Sequence, residues 1–110
     1  MEQLTHSGVE VSESRPLVVH IPCGVGGAPA GVAWGLHHLL GNAVHVLFAE
    51  PTNAPCVLLG LATGLHEGVA VTDVGLDGKT AADGLAVARP SALACDAMDK
   101  LVAGVYTVKV

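Results

Sequence analysis

Charge is what this sequence has least of. Of its 110 residues only 14% are Asp, Glu, Lys or Arg, where soluble domains average about 25%. The five basic residues, Arg15, Lys79, Arg89, Lys100 and Lys109, do not cluster and are outnumbered by ten acidic ones, for a net charge of -5. A surface that reads phosphate backbones needs a basic patch, so nucleic acid is excluded as a partner. Long apolar runs are missing too: no stretch approaches the roughly 20 residues of a membrane helix. Residues 1–15 lack the basic start and apolar centre of a secretion signal, and a cytoplasmic location is expected. Cys23, Cys56 and Cys95 are odd in number and far apart, which suggests neither a disulfide framework nor a zinc knuckle.

What is abundant is apolar: hydrophobic residues make up 51% and glycine adds 14 positions, for a mean hydropathy of +0.56. One core is the limit at this length. With so few charges to coat it, a compact domain would be left with apolar surface open to self-association.

Residues 1–16 are polar and aperiodic and read as a lead-in, a loop or disordered; residues 17–110 read as the folded part. Residues 17–21 form a β-branched run that fits a buried strand. Residues 30–40 read as a helix closed by Gly41 and, with almost no polar face, covered on most sides. Residues 44–49 are the next strand. This order predicts a βαβ unit with parallel strands. A second helix over 54–63 stopped by Gly64, a third strand over 69–74, a loop over 75–84, a helix over 91–103 capped by Ser91, and a strand over 105–110 complete the reading. The fold class is α/β: a three-layer, Rossmann-like partial domain with a mostly parallel sheet.

The segment Cys23-Gly24-Val25-Gly26-Gly27-Ala28-Pro29 is the most informative. A glycine turn between a strand and a helix N-terminus exposes backbone N–H groups where the helix dipole is positive, and a phosphate is the natural guest. The alternative is that the glycines only permit a tight turn. The dinucleotide pattern G-x-G-x-x-G breaks at Pro29, although Glu50 would suit a ribose contact, which keeps a nicotinamide-binding reading as a rival. Gly78-Lys79-Thr80 fails as a Walker motif because Asp73 stands where a glycine is required. Adjacent His37 and His38 diverge by about 100° and do not converge on one metal ion. Trp34 reads as core or interface, and His20 and His45, inside apolar strands, read as satisfied core groups.

Four stretches taken together, Pro22–Pro29, Phe48-Ala49-Glu50-Pro51-Thr52, Thr63-Gly64-Leu65-His66 and Thr80-Ala81-Ala82-Asp83-Gly84-Leu85-Ala86-Val87, resemble the D-serine dehydratase (D-serine ammonia-lyase) family. These are pyridoxal-phosphate enzymes of fold type II, the group that holds tryptophan synthase β, threonine deaminase and serine racemase. The resemblance implies that Gly24, Val25, Gly26, Gly27 and Ala28 hold the cofactor phosphate through backbone N–H groups. It implies pocket roles for Cys23, Thr80, Asp83 and Gly84, with a plain structural turn as the alternative for the last three. It also makes Glu50, and less directly Cys56, candidate ligands of a monovalent cation such as potassium.

An amino-acid substrate is implied for the parent enzyme, with D-serine converted to pyruvate and ammonia. The family's Schiff-base lysine lies upstream of the glycine loop, whereas no lysine here precedes Lys79. The chain therefore reads as an internal segment of a larger enzyme, a fragment without turnover of its own. The other reading is an inactive stand-alone module that binds phosphate or self-associates.

Overall fold

The computed structural model describes residue 3 and residues 6–109, so part of the polar lead-in and the last position of the expected terminal strand lie outside the described residues. Three strands form one sheet in the order β1-β2-β3: β1 is Leu17–Pro22, β2 is Val44–Pro51 and β3 is Gly104–Val108. Both pairings are parallel, with Leu17 opposite Val44 and Leu47 opposite Gly104. Parallel neighbours need a crossover, and helix α1, Gly27–Leu40, supplies the first. Helices α2, Cys56–Thr63, and α3, Ala92–Met98, lie in the second.

One face of the sheet makes the core. Val44, Val46 and Phe48 of β2 are buried together with Ala30 and Ala33 of α1, Cys56 and Val57 of α2, and Ala94 and Met98 of α3. The α/β architecture with a parallel sheet stands as expected, but the helices gather on this face, so the described residues make two layers and not the expected three. On the opposite face, Val18, Tyr106 and Val108 are exposed. Strand β1 therefore alternates half-buried and exposed rather than being buried throughout.

His20 and His45 belong to the open face and are solvent-exposed, not core groups as expected. Parallel register puts His20 and Tyr106 on the same face of the sheet, where His20 Nδ1 and Tyr106 Oη lie 3.0 Å apart across β2.

Helix α1 begins inside the glycine segment, three residues before the expected start, and Gly41 closes it with a positive φ of 56°. It is not covered on most sides: Val32, Trp34 and Leu39 are exposed, and Trp34 stacks on His38. His37 Nε2 donates to the Leu101 carbonyl at 2.7 Å, tying the helix to the segment that enters β3.

Three expected element boundaries are corrected. Residues 69–74 do not form a strand; Val71–Val74 is a 3-10 turn, because the Asp73 carboxylate takes the Ala70 N–H at 2.8 Å and Gly75 ends the turn at φ 86°. Helix α2 starts two residues later than expected, after Pro55, and Gly64 stops it in the left-handed conformation as expected. Ser91 does cap α3, its Oγ accepting the Ala94 N–H at 3.2 Å, but the helix ends at Met98 instead of running to 103. There Leu101 and Val102 N–H turn back to the Met98 carbonyl, and Ala103 N–H donates to Val46 at 2.8 Å, so the sheet captures the chain.

Gly60 sits buried within α2, where a Cβ would meet the His66 carbonyl oxygen at 3.0 Å and the His66 Cα at 3.2 Å. Replacing an interior helical glycine by alanine ordinarily stabilises by up to about 1 kcal/mol. Gly60→Ala is expected to reverse that sign and destabilise by about 1 kcal/mol, because the opposing atoms are backbone. Chemical denaturation of the two proteins checks it; a more stable variant would contradict the packing account.

Candidate functional site: a glycine loop with its carbonyls tied inward

Strand β1 hands the chain to the loop through Cys23, which is fully buried and donates its N–H to the Ala49 carbonyl at 2.9 Å. Gly26 takes φ 106°, a region L side chains rarely adopt, and a Cβ there would meet the Ala94 Cβ at 3.1 Å. A Cβ on Gly24 would lie 2.9 Å from the Gly84 carbonyl oxygen. Both positions need glycine because α3 and the Thr80–Gly84 segment press against the loop from behind. Gly27 differs: nothing lies within 4 Å of where its Cβ would be, so the loop is open on that side.

Three successive loop carbonyls are each held from inside the protein. The Gly24 oxygen accepts from the Cys56 thiol at 3.2 Å, the Val25 oxygen from the Ser91 N–H at 2.8 Å, and the Gly26 oxygen from the Ala30 N–H at 2.9 Å. A planar trans peptide points its C=O and the following N–H in opposite directions, and no peptide bond is cis among the described residues. Anchoring those carbonyls therefore turns the N–H groups of Val25, Gly26 and Gly27 the other way. Among the described residues none of the N–H groups of Gly24, Val25, Gly26, Gly27 and Ala28 has an acceptor. Unmatched donors at the positive end of a 14-residue helix suit an anion with several oxygens, and the phosphate of a cofactor fits this set.

Glu50 ends the buried side of β2 and is 1% exposed. Its Oε1 accepts the Leu58 N–H at 2.7 Å and its Oε2 the Val57 N–H at 3.0 Å. Pro55 offers α2 no side-chain cap, and the carboxylate does that work from the neighbouring strand. A ribose contact is ruled out by this burial, which removes the basis of the nicotinamide reading. A cation at Glu50 would have to share the carboxylate with two backbone donors, one on each oxygen. Burial pushes the Glu50 carboxyl up to about 7, against the pull of the Leu58 and Val57 backbone hydrogen bonds.

Cys23 and Cys56 are raised to about 12 and Cys95 to about 11, in each case chiefly by burial. All three stay protonated at neutral pH, so Cys56 keeps the hydrogen that it donates. The Thr80 Oγ1 accepts the Ala82 N–H at 3.2 Å and holds its own turn. Asp83 is exposed at the start of a 3-10 turn, Asp83–Leu85, and the next two residues of the motif, Gly84 and Leu85, lie against Gly24 of the glycine loop. Lys79 and Thr80 line, with Pro51, Thr52, Asn53 and Lys109, a cavity of about 210 Å³ at the carboxyl end of β2. Sequence reasoning missed two loop anchors. Ser91 signals only a helix cap, and nothing in the spacing of Cys56 from Gly24 announces a thiol-to-carbonyl bond.

The sign of the Glu50 effect on stability follows from linkage. A carboxyl raised from 4.5 to about 7 binds its proton more tightly when folded, so its contribution falls as pH rises through that window. Between about pH 5 and pH 8 this group should cost the fold about 2–3 kcal/mol. Urea unfolding across that range should show the decline in the native chain and a flatter profile in Glu50→Gln. Parallel profiles would contradict it.

A family model described as "Pyridoxal-phosphate dependent enzyme" matches residues 4–109. The chain is 58% identical over 106 residues to a probable D-serine dehydratase of Chromobacterium violaceum, covering 96% of this chain and 24% of that protein. It is 56% identical over 106 residues to the D-serine dehydratase of Serratia proteamaculans, with the same coverage. It thus spans about a quarter of the length of these curated relatives. Among solved structures, a threonine deaminase from Solanum lycopersicum, the processed form of isoform 2, superposes with a TM-score of 0.73 at 27% identity, covering 97% of this chain and 26% of that one. The loop geometry, the parallel sheet and these matches together place the chain in the pyridoxal-phosphate dependent enzyme family of fold type II, as a homologue of part of D-serine dehydratase.

Proposed function

We propose that this chain supplies the cofactor-phosphate cradle of a lyase acting on D-serine, whose parent reaction yields pyruvate and ammonia. The observation that carries the reading is the loop in which three carbonyls are anchored inward and five successive N–H groups, from Gly24 to Ala28, are left without acceptors among the described residues. Those N–H groups would hold the phosphate of pyridoxal phosphate, and the dipole of α1 would favour its charge. When bound, that cofactor supplies an electron sink for charge developing at the substrate α-carbon. Cys23 and Gly84 back the loop, while Thr80 and Asp83 lie on the segment that delivers Gly84. A potassium ion at Glu50 would share the carboxylate with α2, because each oxygen accepts one backbone N–H and keeps a second lone pair.

The test separates phosphate from ring. Pyridoxine 5′-phosphate has no aldehyde to react with lysines, and titrating it into the chain should change the fluorescence of the single Trp34, which stands on α1. Inorganic phosphate should compete, and pyridoxine without phosphate should bind at least about tenfold more weakly, the loss of roughly one or two charge-assisted hydrogen bonds. Equal binding of the two pyridoxines would overturn the reading.

A second reading, self-association, is favoured by the open sheet face, where Val18, Tyr106 and Val108 are 50%, 37% and 43% exposed. Exposed apolar side chains on an uncovered sheet face are candidate contacts for a second copy. Sedimentation equilibrium should then show a concentration-dependent dimer that Val18→Lys shifts to monomer; a native chain monomeric at all concentrations would exclude it.

A further inference from the structure

We propose that Cys56 is a positioning residue for the phosphate loop: by donating to the Gly24 carbonyl, it fixes the plane of the Gly24–Val25 peptide and so aims the Val25 N–H at the bound phosphate. The inference rests on the phosphate-cradle reading above.

Of the three anchors on the loop carbonyls, two come from backbone N–H groups, those of Ser91 and Ala30, which any sequence with the same fold would keep. The third is a side chain, the Cys56 thiol at 3.2 Å from the Gly24 oxygen. The Cys23 thiol is no equal substitute, since its sulfur stands 3.8 Å from that oxygen. Nor can the peptide be held by its other end, because the Val25 N–H has no acceptor among the described residues. With the thiol gone, a buried carbonyl would lose its donor and the peptide would be free to rotate toward another, taking the Val25 N–H with it.

Cys56 is itself held in place. It opens α2, and the next two residues, Val57 and Leu58, are clamped by Glu50 through both carboxylate oxygens. The Cys56 sulfur is 3.9 Å from Glu50 Oε2 but closer to Gly24, so the shorter bond takes the thiol proton. A chain of contacts thus runs from the end of β2 through the first turn of α2 to the loop.

The experiment compares the native chain with Cys56→Ala, Cys56→Ser and Cys95→Ala. Affinity for pyridoxine 5′-phosphate is read together with the amide proton shift of Val25 in the free protein. Cys56→Ala should weaken binding by about fivefold, the worth of one neutral hydrogen bond, and move the Val25 amide resonance. Cys56→Ser, which keeps an O–H donor, should restore affinity to within about twofold of native. Cys95→Ala removes an equally buried thiol that makes no hydrogen bond to the loop among the described residues, and should lower Tm without changing affinity or the Val25 shift. Native-like affinity in Cys56→Ala, or loss in the serine and alanine variants alike, would overturn the positioning role while leaving the phosphate cradle standing. A native chain that binds neither pyridoxine 5′-phosphate nor inorganic phosphate would overturn both.

Discussion

The seat of Glu50 on the first turn of α2 is the interaction on which the site depends. A carboxylate taken out of water costs several kcal/mol, and two charge-assisted hydrogen bonds recover only part of that. The carboxyl held near 7 records the imbalance. What the cost secures is registration: a side chain at the carboxyl end of the central strand fixes where a helix beginning with proline and cysteine must start. Because Cys56 is the first residue of that helix and touches Gly24, the same contact sets the back wall of the loop.

The loop is a device for sorting the two polar ends of the peptide group. Glycine at 24 and 26 lets Gly84 and Ala94 come close enough to press the backbone into one conformation. The anchored carbonyls then leave the opposite edge of each peptide to the ligand. In the proposed reading no side chain need touch the phosphate: oriented peptide dipoles would match its charge, and the shortage of lysine and arginine in the sequence does not count against that reading.

The sheet displays a different economy. All the helices crowd one face, against Val44, Val46 and Phe48, and the other carries Val18, Tyr106 and Val108 in the open. The apolar excess that stands out in the composition is here resolved into particular places: that face, and the outer side of α1 with Val32, Trp34 and Leu39. The chain covers about a quarter of its curated relatives, and its low charge is a property of these two surfaces more than of the core.

The sequence by itself determined the parallel βαβ start, the glycine loop, the stops at Gly41 and Gly64 and the cap at Ser91, because each follows from neighbours within a few residues. The family was legible because four motifs stand in the order in which the family carries them. Tertiary structure decided the rest. Residues 69–74 have strand composition, yet the Val71 N–H goes to the distant Ala88 carbonyl, and α3 stops short because the Val46 carbonyl captures Ala103. His20 and His45 lie in apolar strands, yet which face is buried depends on where the helices land. Glu50, which local pattern offers to a ribose and the family resemblance to a cation, caps a helix only because α2 folds onto the end of β2. Local conformational preference is written along the chain, whereas the partner of a buried polar group is chosen by whatever the fold brings within hydrogen-bonding distance.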